Sequence, residues 1–273
     1  MNILLKMRET EETHISYEDA LDKLAPITLE EMDRVQLMNR IDSKYLTDEA
    51  TLVKILDDAA RENYSVFTTG GLRITPYDSI YYDTPQLKMF LDHHNRRSVR
   101  QKIRTRSYLT SGDTYLEIKK KNNKGRTKKK RTRILFSDLK DFRGNAGAVE
   151  YLAANSAFTA GEISPVLETA FHRITLVNAA QTERLTIDTM LHFKNFRTGK
   201  DASLKNAVII ELKQDGRAVS QMKGIFLRHR VKPIRVSKYC IAVTLTDHAV
   251  KSNRFKNKVR KIEKTINQKI TES

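Results

Sequence analysis

Along residues 96–133 charged and apolar positions alternate with a period of two. From Val99 to Leu109, Arg100, Lys102, Arg104, Arg106 and Tyr108 share one parity, and Val99, Ile103, Thr105 and Leu109 the other. Successive side chains of a strand point to opposite faces, so the pattern predicts a strand with one basic and one largely apolar face. Ser-Gly-Asp at 111–113 signals a turn. A second strand follows, with Tyr115, Glu117, Lys119 and Lys121 on one parity and Leu116 and Ile118 on the other. After Asn-Asn-Lys-Gly at 122–125, a third run sets Lys128 and Lys130 against Lys129, Arg131 and Arg133. A basic inner face with an apolar outer face inverts the usual arrangement. It points to an α+β fold built on a closed antiparallel β-barrel, whose lumen takes a polyanion and whose outside is covered by helices.

The rest of the chain is read the same way. Residues 1–25 form a loose or helical lead-in. Pro26 to Gln36 predicts a short helix, with Thr28 as N-cap and Glu31 at the capping-box position. Leu37 to Leu46 alternates as a strand that presents Arg40, Asp42 and Lys44 together. Thr47 or Asp48 caps a helix to about Glu62, with Leu52, Ile55, Leu56 and Ala59 as its apolar stripe. Strands are expected at 64–69 and 72–83, then a helix over 86–94 opened by Pro85. Residues 138–161 read as a small helical cover. Long strands follow at 165–179 and 183–191, a short one at 192–198, and one at 207–213 with Val208, Ile210 and Leu212 opposite Ile209, Glu211 and Lys213. A helix spans 218–229, Lys232-Pro233 turns the chain into 235–239, and a helix closes the domain near 246. The organisation expected is a lead-in (1–25), one domain (26–246) and a basic tail (247–273), solvated as a helix or disordered.

Charge narrows the partners. The 273 residues carry 50 Lys and Arg against 33 Asp and Glu, a formal net charge of +17. Such a surplus attracts nucleic acid, anionic membrane or polyphosphate. A single cysteine, Cys240, excludes an internal disulfide and fits a reducing cytosol, where it reads as a buried structural thiol. No apolar run approaches the roughly 20 residues of a membrane-spanning helix. No Gly-rich phosphate loop, paired-cysteine motif or HExxH motif is present. His93-His94 is the one histidine pair, and it reads as a helix or surface position rather than a metal site.

The residues of basic-face parity are Lys44, Arg104, Arg106, Glu117, Lys119, Arg173, Arg184, Glu211, Lys213 and Lys238. Phosphoryl chemistry uses this mixture: Arg and Lys neutralise phosphate oxygens, and carboxylates hold Mg²⁺ or Mn²⁺. Glu117-x-Lys119 and Glu211-x-Lys213 each put a metal-ligand candidate and a phosphate-ligand candidate on one strand face, about 7 Å apart. Ordinary surface ion pairs give the same short pattern, so its weight lies in the conjunction with the basic strands.

The stretches NRIDSKY, YYDTPQLKMF, VRQKIRTRSY, YLEIKKK, AVIIELK and RVSKY resemble the VTC domain, a family of the triphosphate tunnel metalloenzymes, over about residues 35–245. The resemblance implies a barrel tunnel and transfer of the γ-phosphoryl of ATP onto a growing polyphosphate chain with Mn²⁺ or Mg²⁺. It implies phosphate-binding roles for Lys44, Arg104, Arg106, Lys119, Arg173 and Arg184, and a metal-binding role for Glu211, joined by Glu117 from the pattern above. Lys213 is a further substrate-binding candidate from the same pattern, and Lys238 resembles a basic residue near the tunnel mouth. One more basic residue is implied on the third basic strand, where Lys128, Lys129, Lys130 and Arg131 compete and Lys130 is preferred. Eukaryotic members carry an SPX domain and membrane helices, and neither pattern occurs here. The expected place is the cytoplasm, with attachment to a membrane only through a protein partner. A hydrolase of tripolyphosphate or nucleoside triphosphates on the same tunnel, and a non-catalytic polyphosphate binder, stay open. Nucleic acid is disfavoured because the basic hairpins lack interleaved aromatics to stack bases.

Overall fold

Asp48 begins the first long helix by accepting a hydrogen bond from the Thr51 amide at 2.7 Å, an N-cap geometry that ends the preceding strand. The computed structural model describes residues 15–270 except Arg34, Gln36, Met38, Asn39 and Arg217. The first fourteen residues of the expected lead-in, parts of the expected helix and strand between 34 and 39, and the last three residues of the tail lie outside it. The described chain divides into two compact units. The first holds residues up to Ile74, Arg173–Thr189 and Asn206–Arg235; the second holds Thr75–His172, Met190–Lys205 and Val236 onward. Strands β8 (Ser164–Val177) and β9 (Glu183–Asn195) give residues to both.

In the first unit, the sheet order is β1 (Ala25–Ile27), β3 (Ser65–Phe67), β8, β9, β11 (Ala207–Asp215) and β2 (Arg40–Asp48). β11 pairs antiparallel with both β2 and β9. One face is the core: Tyr45, Ile187, Leu185, Val208, Ile210 and Leu212 pack with α1 (Ile15–Asp22), α3 (Glu49–Arg61) and α6 (Gln221–Arg228). Leu52, Ile55, Leu56 and Ala59 of α3 are all fully buried, as their spacing predicts. The lead-in is helical from Ile15, and Tyr17, Ala20 and Leu21 belong to this core. Between α1 and β2, Thr28 and Glu31 bond each other's backbone amides in the expected capping box, although the helix there, α2, runs only Leu29–Asp33.

In the second unit the order is β10 (Asp201–Leu204), β9, β8, β4 (Thr75–Asp83), β5 (Arg100–Tyr108), β6 (Asp113–Lys121) and β7 (Thr127–Ile134). Gly112 and Gly125 adopt positive φ (72° and 78°) in the two basic hairpin turns, which an L side chain resists. Ile80, Tyr82, Ile103, Leu116 and Ile118 face Ala148 and Leu152 of α5 (Ala146–Asn155), the expected cover. The strand expected at 192–198 is the end of β9. The chain then turns, with the Asn195 amide bonded to the Lys200 carbonyl and Gly199 at φ 71°, and the short strand is β10.

The motif YYDTP is structural at its acid. Asp83 is fully buried and accepts from the amides of Thr84, Met89 and Phe90 and from the Tyr239 hydroxyl. It therefore caps α4 (Lys88–His94) and ties it to α7 (Lys238–Thr246), whose N-cap is Ser237. The tail is helical, as one of the two expectations has it, but it is docked rather than solvated. Asn253–Ile266 forms α8, and Phe255, Ile262 and Ile266 are buried. His94 Nε2 meets Asn253 Oδ1 at 2.8 Å, and Phe255 packs on the Phe90 and His94 rings. Apolar residues spaced at 3.6 let this charged segment dock instead of floating in solvent. No helix of the described residues is long and apolar enough to cross a membrane.

Candidate functional site

The register of the basic hairpins fixes which cations share a face. Arg104 lies opposite Glu117, which lies opposite Arg131; Lys102, Lys119 and Lys129 form the next row, and Arg106, Tyr115 and Arg133 the row after. β4 continues the face with Ser79 opposite Arg106 and Tyr81 opposite Arg104. The expected parity of β5 and β6 is thus found. The third strand corrects it in one place. Lys130 pairs with Ile118 on the opposite, helix-covered face and donates to Asn155 at 2.6 Å. Lys129 stands where Lys130 was preferred.

Glu117 is the hub of this cluster. Its side chain is fully buried. Oε2 accepts from Arg104 Nε at 2.8 Å and Nη2 at 2.5 Å, and Oε1 pairs with Lys129. Burial would raise the carboxyl pKa, but Arg104, Arg106 and Lys129 together hold it far below the usual carboxylate range. Arg106 is almost fully buried, bonds Ser79 Oγ at 2.9 Å, and lies over the Tyr77 and Phe171 rings. Lys238 Nζ sits 4.1 Å from the Phe171 ring, and Lys102 Nζ donates to Ser237 Oγ at 2.8 Å. Tyr81, unnoticed in the sequence, bonds Arg104 Nη1 at 3.0 Å. Burial would raise its hydroxyl, yet Arg104, Arg106, Lys102 and Lys238 bring it down to about 8, a measure of how positive the face is. Only the pairing of β4 with β5 reveals it. The basic hairpins do carry two aromatics on this face, Tyr108 and Tyr115, the latter covered by Arg131. Tyr77, Tyr81 and Phe171 from β4 and β8 are each less than 10% exposed and covered by cations, so these three offer no open platform for bases.

The first unit carries a separate cluster on the face of its sheet opposite the core. Asp42, Lys213 and Arg184 form one row, and Lys44, Glu211 and Thr186 the next. Lys44 Nζ meets Glu211 Oε2 at 2.6 Å. Arg173 grips Asp188 through two bonds, at 2.7 and 2.9 Å. Asp42 and Asp188 were not singled out from sequence as site residues; their parity with Lys44 and Arg184 was the available signal. Lys213 has its pKa lowered to about 8, chiefly by burial, with Glu211 opposing and Arg184 and Arg173 reinforcing.

A pH dependence follows. Lys213 loses its charge as pH rises through about 8, and tripolyphosphate affinity is expected to weaken over that range. Lys213→Arg, which keeps its charge, is expected to shrink the step in a titration by calorimetry, leaving the part that Tyr81 contributes in the same range. The same depression from the ordinary 10.5 means the unfolded chain holds this proton longer. Its contribution therefore makes stability rise with pH between those two values.

A divalent cation fits part of this set. Hard cations take carboxylate oxygen, completing their shells with phosphate oxygens and water. Glu211 is half-exposed and on the cationic face, so it suits that role. Glu117, the second metal candidate, does not fit, because its buried carboxylate is already engaged by Arg104 and Lys129. Among the described residues no three His, Cys, Asp or Glu side chains gather as a metal cluster.

Comparison with known proteins agrees with the fold. A candidate adenylyl cyclase from Hippeastrum with a dominant triphosphatase activity is 13% identical, with 75% of this chain and 95% of that one covered at a TM-score of 0.50. A candidate adenylate cyclase from Bacillus halodurans is 11% identical over 73% of this chain and 96% of that one, at a TM-score of 0.49. No curated protein matches the chain. The sequence pattern of the VTC domain matches residues 39–246, most of the chain. With its antiparallel sheet, outer helices and rows of cations on the face away from the core, this chain belongs to the VTC domain family and has the triphosphate tunnel fold.

Proposed function

We propose that the protein is a metal-dependent polyphosphate polymerase. It transfers the γ-phosphoryl of ATP to the end of a polyphosphate chain. The observation that supports this most is the Arg104–Glu117–Lys129 cluster with Arg106 beside it, a cationic face held rigid by one buried carboxylate. Preorganised cations stabilise phosphoryl charge without reorganising during the reaction. Arg104, Arg106, Lys119 and Lys129 in one unit, and Lys44, Arg173, Arg184 and Lys213 in the other, are assigned to phosphate oxygens; Lys238 is assigned to the incoming chain. Mn²⁺ or Mg²⁺, held through Glu211, would neutralise charge on the triphosphate when bound. The terminal oxygen of the chain attacks the γ-phosphorus, a P–O bond forms, and the bond to the β-phosphate oxygen breaks to release ADP. No protein nucleophile is required. The reading places the protein in the cytoplasm, with membrane attachment only through a protein partner.

Hydrolysis is the second reading, favoured by the triphosphatase activity of the Hippeastrum protein of the same fold. Water then replaces the chain end. Purified protein incubated with ATP and Mn²⁺ separates the readings. A ladder on a polyphosphate-stained gel is the expected result. Orthophosphate without a ladder moves the assignment to hydrolase. Neither product, with polyphosphate still bound, leaves a binding module.

A further inference from the structure

The hairpins of the second unit carry another basic surface on their far side. A cleft of about 570 Å³ lies between the β5–β6–β7 sheet and the end of α5. Lys120, Lys128 and Lys130 stand on the face opposite Glu117, because Lys120 pairs with Lys128 and Ile118 with Lys130. Arg126 from the turn lines the same cleft, and Arg100, which has the parity of the Glu117 face, borders it at the start of β5. Lysines on the last strand of a sheet would be explained by protection against edge pairing. That reason does not reach Arg100, Lys120 or Arg126, which lie on other elements.

The charge of this cleft is not cancelled from within. None of its lining residues is acidic. Lys130 is steered by the Asn155 amide, itself oriented by donating to the Tyr151 carbonyl at 2.9 Å. Arg100 donates to the Arg97 carbonyl at 2.7 Å. These partners are neutral. Elsewhere on the surface arginines meet carboxylates, as Arg228 does with Asp58 and Glu62 and Arg143 with Asp141. Cross-strand like charges such as Lys120 and Lys128 oppose folding, and an anion between them removes that opposition.

We propose that this cleft is a second anion site that holds a stretch of linear oligophosphate. A concave site with cations from three strands and a turn suits a compact, charge-dense chain. No aromatic ring lines it for base stacking, which disfavours nucleic acid. Its concavity disfavours a flat lipid surface. The site needs binding, not turnover, and so stands apart from the proposed reaction.

The test is calorimetry of the full chain with a short linear polyphosphate of defined length at fixed ionic strength. Lys120→Gln/Arg126→Gln is introduced into an Arg106→Gln background, so that loss at the inner face is already counted. Lys120 and Arg126 are exposed, and because Arg106 is buried the Arg106→Gln background is first checked for folding by its melting temperature. Affinity is expected to fall about tenfold further. Unchanged affinity overturns the proposal. A loss that is equal or larger for duplex DNA, or for phosphatidylserine vesicles, also overturns it in favour of that partner. A protein that makes no polymer from ATP still reports on this site by binding.

Discussion

Glu117→Gln lowers the melting temperature by roughly 6–12 °C, as read by differential scanning fluorimetry. The carboxylate is fully buried and answers Arg104 and Lys129 at once. A neutral amide in its place leaves two closely spaced cations without their counter-ion. Breaking a buried pair by removing one partner costs about 3 kcal/mol or more. For a domain of this size each kcal/mol shifts the melting temperature by roughly 2–4 °C. Added tripolyphosphate should raise the melting temperature of the variant more than that of the wild type, since the anion takes over the missing charge. The pH profile carries the same signature. The folded-state pKa lies below the ordinary 4.5, so this stabilisation is full above about 4.5 and drains away as pH falls. The variant lacks that component of the acid dependence. An unchanged melting temperature would show that Glu117 is not the structural counter-ion described above.

Glu211→Gln gives the opposite split. Metal-dependent turnover of ATP is expected to fall about 100-fold or more, the scale of a lost charge-stabilising ligand. The melting temperature should move by less than about 3 °C, because the Lys44–Glu211 pair is partly exposed and screened by solvent. Excess Mn²⁺ should recover part of the rate if metal affinity is what was lost. Turnover that survives intact would remove Glu211 from the metal site. In sequence, Glu117-x-Lys119 and Glu211-x-Lys213 are the same pattern. In the fold one glutamate is a sealed counter-ion and the other a partly exposed carboxylate paired with Lys44. Burial separates them, and burial is a property of what packs above a strand rather than of the strand.

Much of the architecture is legible along the chain. The alternation around Arg104 and Arg106 and around Leu116 and Ile118 assigns faces correctly, since the period of two is set by backbone geometry. The apolar stripe of α3 and the caps at Asp48 and Thr28 follow from equally local chemistry. Lys130 shows where this stops. Four consecutive basic residues, Lys128 to Arg131, offer no apolar phase of their own, so parity cannot choose among them. Only pairing with β6 sets Lys129 and Arg131 on the face of Glu117. The tail errs for a related reason: Phe255, Ile262 and Ile266 are sparse among lysines, and their value appears once α4 presents Phe90 and His94.

The sequence by itself determined most strand and helix types, the polarity of most faces and a surplus of cations that suits a polyanion. These depend on contacts within a few residues and on composition. The tertiary structure alone decided which carboxylate is sealed, that Tyr81 joins Arg104, that Asp83 caps α4, and that a second set of lysines faces the other way. Those are outcomes of register and burial between segments distant in the chain, and no local period encodes them.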